Sequence, residues 1–189
     1  MYTNFQEQAV RLNGTVDWMY KNYKEKQVSS VFETTGGTVF IGSNNAVYKS
    51  ANNGKTWKYV PVGGWVTKMV ESNGVLLAAS SHGILKSTDD GESWVRVISE
   101  EVAGNSVEHI DGGFAVIAHS IITKPDKGYI SLDNGKTWND VGTGLPSSWS
   151  FKNIFGSQPQ YISSLKQAGK YLICASSDGV FRSPDMGKT

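Results

Sequence analysis

Four copies of one short motif run through this chain. They read SANNGKTW from Ser50 to Trp57, STDDGESW from Ser87 to Trp94, SLDNGKTW from Ser131 to Trp138 and SPDMGKT from Ser183 to Thr189. A repeat of this kind constrains the fold more than any other sequence feature, because each unit buries its apolar face only by stacking on its neighbours. Each copy follows a short apolar run: Ala46-Val47-Tyr48, Ile84-Leu85, Tyr129-Ile130 and Val180-Phe181. A second extended run follows the first three copies, as in Trp57-Lys58-Tyr59-Val60. Two strands joined by Asx-rich, Gly-containing residues predict a β-hairpin. Gly54, Gly91, Gly135 and Gly187 then supply the positive φ of the turn. Asn52, Asp89, Asp133 and Asp185 are expected to accept turn amide bonds, and Ser50, Ser87, Ser131 and Ser183 to do so more weakly. Trp57, Trp94 and Trp138 are expected to bury apolar area between units. All of these residues are read as fold-holding, with no chemistry of their own.

The intervals between the motif serines fit four-stranded units of roughly 40 to 50 residues. Near-continuous apolar runs such as Val75-Leu76-Leu77-Ala78-Ala79 and Tyr171-Leu172-Ile173-Cys174-Ala175 suit inner strands buried on both faces. The expectation is an all-β chain with four-stranded units at about 27–61, 65–98, 106–142 and 160–189, preceded by an N-terminal arm over 1–26.

The pattern Ser-x-Asp-x-Gly-x-Thr-Trp resembles the Asp-box, or BNR, repeat of sialidase-like β-propellers. That group takes in bacterial sialidases, xyloglucanases, sortilin-type receptors and the photosystem II assembly-factor family. The resemblance covers about residues 27–189, with Asn52 in place of Asp in the first box and no Trp in the fourth. It implies an Asp-box β-propeller with about four blades seen, and no single activity. The last box stops at Thr189, which leaves two readings: part of a larger propeller, or closure by residues 15–19, with Trp18 standing in for the missing indole. In the first reading, open blade faces invite self-association.

Composition narrows the function. The 18 Lys+Arg and 17 Asp+Glu give a net charge of +1 with the signs interspersed, so no basic footprint for nucleic acid exists. Met1 is not followed by a charged-then-apolar leader and no apolar run approaches a membrane span. A soluble domain, outside the cell or at a surface, is the expectation, and an intracellular assembly factor is also compatible. Cys174 lies alone in an apolar strand and is read as a small buried hydrophobe. His82, His109 and His119 lack metal-ligand spacing, so neither a metal nor another cofactor is expected.

Two catalytic readings follow from the resemblance. Sialidases hold a substrate carboxylate with three converging arginines, and this chain has only Arg11, Arg96 and Arg182. Phe181-Arg182-Ser183-Pro184 is fused to the fourth box, so Arg182 is assigned to a strand end. A glycoside hydrolase needs two carboxyl groups roughly 5 to 10 Å apart across the scissile bond. The candidates outside the boxes are Asp17, Glu71, Glu100, Glu101, Glu108, Asp111, Asp126 and Asp178.

Strand parity assigns the binding face. In a four-stranded antiparallel blade the first and third turns share one rim. The second turn and the blade-to-blade crossover share the other. The Asp boxes are third turns, so the opposite rim carries the longest loops, residues 120–127 and 142–160. Trp65, His82, Lys124, Lys127, Trp149, Phe151 and Phe155 fall there as candidate ligand-binding residues, with Trp149 as the anchor. The function expected is non-enzymatic binding of a glycan or a protein on that rim, with a sialidase-like or xyloglucanase-like hydrolase as the alternative.

Overall fold

The computed structural model describes residues 7–12, 15–20, 28–98, 102–120, 127–140, 162–176 and 179–187. The described elements are all strands. A two-stranded sheet of β1 (Glu7–Leu12) and β2 (Thr15–Tyr20) comes first. Blade 1 follows as β3 (Val28–Glu33), β4 (Val39–Ser43), β5 (Ala46–Ser50) and β6 (Lys58–Pro61). Blade 2 holds β7 (Val66–Ser72), β8 (Val75–Ser80), β9 (Gly83–Ser87) and β10 (Val95–Ile98). Blade 3 holds β11 (Val102–Ile110), β12 (Gly113–Ser120), β13 (Lys127–Ser131) and β14 (Asn139–Asp140). Blade 4 is described as β15 (Ile162–Ala168), β16 (Tyr171–Ser176) and β17 (Gly179–Ser183). Within each blade the strands pair antiparallel in chain order. The architecture is a β-propeller type in which each blade is a meander of short hairpins.

The first strand of every blade carries a register shift at the same place: after Val28, Val66, Gly104 and Ile162. A bulge there raises the local twist, which an innermost strand needs where the blades converge. The middle strands are buried on both faces, as in β5 and β8, while the outer strands β6 and β10 are mostly exposed. The apolar runs of the sequence are therefore inner strands, clamped between two neighbours.

Alternation within those strands builds one core per blade junction. Phe40 and Val47 of blade 1 pack on Val66, Met69, Leu76, Ala78 and Leu85 of blade 2. Leu77, Ala79 and Ile84 point the other way, onto Val107, Phe114, Val116 and Ala118 of blade 3. Ala115, Ile117 and Ile130 of blade 3 meet Leu165, Leu172 and Cys174 of blade 4. Cys174 is buried in that junction and in no disulfide, as its strand context predicts. Each fully buried Phe or Leu contributes about 1.5–3 kcal/mol, so each junction is a substantial part of the domain's stability.

Two features differ from expectation. Residues 15–19 belong to β2, which pairs with β1 from Glu7↔Tyr20 to Leu12↔Thr15, whereas the blade 4 sheet has the order β15-β16-β17. The physical reason is local: Asn13-Gly14 separates the two arms, and this dipeptide is the strongest short hairpin signal. Second, the box tryptophans Trp57, Trp94 and Trp138 precede their strands instead of opening them. They are half-buried wedges against the neighbouring apolar clusters.

Candidate functional site

The rim of the Asp boxes is tied up in its own construction. In each box the serine hydroxyl accepts from the glycine N–H four residues on: Gly54 N to Ser50 Oγ at 2.8 Å, Gly91 to Ser87 at 2.8 Å, Gly135 to Ser131 at 2.7 Å and Gly187 to Ser183 at 2.6 Å. The same hydroxyls donate to Asn52, Asp89, Asp133 and Asp185. The Asx side chains then accept the amides of Thr56 at 2.9 Å, Ser93 at 3.0 Å and Thr137 at 2.9 Å. The serine is thus as central to the box as the carboxylate, and Ser50, Ser87 and Ser131 are fully buried. Hydrogen bonds first from Ser93 and then from Ser87 hold the Asp89 carboxyl well below the usual range; Thr137 and then Ser131 do the same for Asp133.

The residue before each box glycine also takes positive φ: Asn53, Asp90, Asn134 and Met186. Asn and Asp tolerate this conformation, a signal present in three of the boxes that the sequence reading did not use. This fourth box position reaches the preceding blade. Thr38 Oγ1 donates to Asp90 Oδ2 at 3.2 Å, and Asn73 Nδ2 donates to Asn134 Oδ1 at 3.3 Å. The buried Lys49 ammonium of blade 1 meets Asp90 at 2.9 Å and Glu92 at 2.8 Å. Burial pulls the Lys49 pKa down, but the hydrogen bonds of Glu92 and Asp90 outweigh it and leave the pKa raised. The Asp-box rim is a blade-to-blade clamp.

The opposite rim is built differently. The crossover from blade 1 to blade 2 is stapled at both ends. Val62 N and Gly63 N donate to Asn45 O at 2.9 and 3.2 Å, in the second turn of blade 1. Trp65 N donates to Ser81 Oγ at 3.0 Å and Ser81 N donates back to Trp65 O at 3.0 Å, in the second turn of blade 2. Gly64 permits this approach, since a Cβ there would lie 2.7 Å from His82 Nδ1 and 3.3 Å from Ser81 Oγ. Ser81 Oγ also lies 3.2 Å from His82 Nδ1, and His82 N donates to Ser80 Oγ at 3.2 Å. Two of the candidates, Trp65 and His82, are therefore brought together around Ser81, which was not among the candidates. The Trp65 side chain remains 44% exposed although its backbone is fixed on both sides.

Lys127 is exposed at the start of β13, at the second turn of blade 3 and thus on the same rim. Lys124, Trp149, Phe151 and Phe155 lie outside the described residues. Of the candidate carboxylates, three are described with their partners, and each serves a blade junction. Glu71 accepts from Thr35 N at 2.7 Å and Thr35 Oγ1 at 3.1 Å. Glu108, buried, is held between Lys68 and Lys166. Asp111 and Gln167 exchange two hydrogen bonds, at 2.6 and 2.8 Å. Asp17 lies on β2, and Glu100, Glu101, Asp126 and Asp178 are outside the described residues. Among the described residues no group of three or more His, Cys, Asp or Glu is placed to hold a metal ion, and no helix is long and apolar enough to cross a membrane.

Comparison with known proteins agrees with this geometry. Residues 129–140, which span the third box, match the BNR/Asp-box repeat family. An ancestral GH74 enzyme superposes with a TM-score of 0.67 at 20% identity, over 85% of this chain and 23% of its own. The computationally designed Ika4 protein superposes with a TM-score of 0.57 at 9% identity, over 84% of this chain and 91% of its own. YCF48 bound to a D1 peptide gives a TM-score of 0.57 at 13% identity, over 93% of this chain and 57% of its own. The chain thus spans under a quarter of the GH74 enzyme and little more than half of YCF48. No curated protein sequence matches it. These likenesses establish the fold, and the fold is shared by enzymes and by at least one peptide-bound protein.

Proposed function

We propose that this Asp-box β-propeller is a binding module that holds a glycan or an extended peptide on the rim opposite its boxes. The observation that carries the reading is Trp65. A large aromatic ring is nearly half exposed while its backbone is pinned by Ser81. A rigid exposed indole loses little conformational freedom when a sugar ring or an apolar side chain stacks on it. His82 beside it adds a polar group that both donates and accepts. Lys127, exposed at the start of β13, adds a cation on the same rim, and parity read from the sequence alone assigns Lys124, Trp149, Phe151 and Phe155 to this surface as part of the proposal. The occurrence of this fold in a protein captured with a peptide makes the peptide class a concrete probe.

The test is to screen the 189-residue chain against an immobilised glycan array and an extended-peptide array, then to map the bound ligand by amide exchange. Protection around Trp65 and Ser81, with loss of binding in Trp65→Ala, is the expected result. Protection confined to the boxes around Asn52, Asp89 and Asp133 would overturn the choice of rim. Release of reducing ends from a bound oligosaccharide would replace binding with glycoside hydrolysis.

A further inference from the structure

Asn-Gly is the dipeptide most prone to spontaneous loss of the side-chain amide, because glycine leaves its own backbone nitrogen unshielded. That nitrogen, once solvent base has taken its proton, attacks the asparagine Cγ. A C–N bond forms, the Cγ–Nδ2 bond breaks, ammonia leaves, and a five-membered imide results. Water then opens the imide at one carbonyl or the other, giving aspartate or isoaspartate. The reaction needs an amide proton that solvent can remove and a peptide that can rotate. Four Asn-Gly pairs occur in the sequence. Asn13-Gly14 lies outside the described residues, and the fold treats the other three differently.

Two of them sit inside Asp boxes. Gly54 N donates to Ser50 Oγ at 2.8 Å and Gly135 N to Ser131 Oγ at 2.7 Å. Both glycines are buried, and so are both serines. Asn134 is restrained as well, because its Oδ1 accepts from Ser72 Oγ and Asn73 Nδ2, each at 3.3 Å. In these pairs the attacking nitrogen is held on a hydroxyl away from water, and rotating the peptide would break the box.

The third pair is the tip of the β7–β8 hairpin. Ser72↔Val75 closes the ladder, and Asn73 and Gly74 form the turn with φ of +48° and +75°. A two-residue hairpin of this kind leaves the amide of its second turn residue out of the ladder. Both turn residues are exposed, and a Cβ at Gly74 would meet nothing within 4 Å. Among the described residues the Asn73 side chain is tied only by its bond to Asn134. A surface turn of this sort opens at small free-energy cost.

We propose that Asn73-Gly74 is a site of spontaneous deamidation, and that the box serines keep Asn53 and Asn134 from the same chemistry. The product falls where it alters the scaffold. As the first turn of blade 2, this tip shares the Asp-box rim, and Asn73 links blade 2 to the third box. Conversion replaces the Nδ2 donor with a carboxylate oxygen facing Asn134 Oδ1. Isoaspartate in addition lengthens the backbone of a two-residue turn. The change is slow and irreversible, and it releases one contact of the clamp between blades 2 and 3.

Incubating the folded 189-residue chain at mildly alkaline pH, followed by peptide mass mapping, tests this. Asn73 should convert roughly tenfold or more faster than Asn53 and Asn134, the scale set by one held amide and the local opening it demands. Isoaspartyl methyltransferase should label the peptide that contains position 73. In denaturing urea the three pairs should convert at similar rates, since they share the dipeptide. Amide exchange on fresh protein gives a second readout, with Gly74 exchanging faster than Gly54 and Gly135. Ser131→Ala, with its fold checked by thermal melt, should speed conversion of Asn134 while Asn53 stays slow. An unchanged Asn134 rate in that folded variant would refute protection by the serine. Equal rates in the folded chain, or first conversion at Asn53 or Asn134, would overturn the proposal. So would a preference for Asn73 that persists undiminished in urea, because it would trace the selectivity to sequence and not to the fold.

Discussion

The two rims of this molecule are made from the same hairpins and treat their polar groups in opposite ways. On the Asp-box rim, hydroxyls and Asx side chains turn inward onto their own turn or sideways onto the preceding blade. On the opposite rim the crossover is held by its own backbone groups, with Ser81 Oγ as one acceptor. Asn45 and Ser81 fix the crossover, and the Trp65 side chain is left exposed. A repeated motif marks where every blade needs the same physics, which is the junction. The proposed recognition surface is the rim where the repeat breaks and the turns differ in length and composition.

The sharpest way to break the comparison is Gly91→Val. Gly91 has φ +77°, and a side chain there drives into Phe40. Backbone strain and overpacking together should cost on the order of 3–5 kcal/mol. Denaturant unfolding monitored at two wavelengths measures this. An unchanged midpoint would show that the box rim is not the clamp described.

Trp94→Ala comes next. Trp94 packs edge-on to Phe40, with ring centres 6.5 Å apart and planes at 88°. Truncation should cost about 3 kcal/mol, the low end for a large aromatic because the indole is half-buried. Trp138 lies against the core between blades 2 and 3, and Trp138→Ala should cost a similar amount. Unchanged midpoints in both variants would mean that the tryptophans do not act at the junctions. Both changes act on the scaffold, so the affinity of the remaining folded protein for its ligand should be unaltered.

Acid separates the boxes from one another. The carboxyls of Asp89 and Asp133 titrate well below the ordinary carboxylate value in the folded chain, first through Ser93 and Thr137 respectively. A depressed folded pKa gives stabilisation that is complete above the unfolded value of about 3.9 and is lost as pH falls from there toward the folded value. Asn52 replaces the carboxylate in the first box and does not titrate. Amide exchange at Ser93 and Thr137 should therefore quicken below about pH 4, while Thr56 stays comparatively protected. Parallel loss at all three sites would mean that acid acts through global unfolding and not through the boxes.

The scaffold was legible because its determinants are short-range. Box, apolar run and interval could each be read within one blade, and parity then put Trp65 and His82 on one rim. What escaped was of two kinds. Contacts between blades, such as Asp90 to Thr38 or Glu71 to Thr35, join residues far apart in sequence, and nothing in a single chain pairs them. Glu71, Glu108 and Asp111 consequently read as candidate acids when they are junction residues. Asn13-Gly14 is a hairpin signal inside the N-terminal arm, and β1 and β2 on either side of it pair with each other. The larger part of the expected recognition surface, Trp149 above all, lies outside the described residues, where no repeat pattern applies.

Trp65→Ala should produce the smallest change in stability of the set, and it sharpens the comparison most. The indole is 44% exposed, and the staples that hold the crossover are backbone groups of Trp65 itself, which the substitution keeps. Its loss should alter unfolding free energy by no more than about 1 kcal/mol, as for exposed positions generally. For a ligand seated on this rim the same change should weaken binding by about 2 kcal/mol, the scale of an aromatic hot spot. Ser81→Ala supplies the reciprocal test. It removes the acceptor for Trp65 N and leaves the indole in place, so it should loosen the crossover and reduce affinity through disorder of the platform. Faster exchange at the Trp65 amide in Ser81→Ala, with normal exchange at the boxes, would show the two rims to be energetically separate. A Trp65→Ala protein that unfolds as readily as Gly91→Val would show instead that Trp65 is part of the core, and the distinction between a structural rim and a recognition rim would fall.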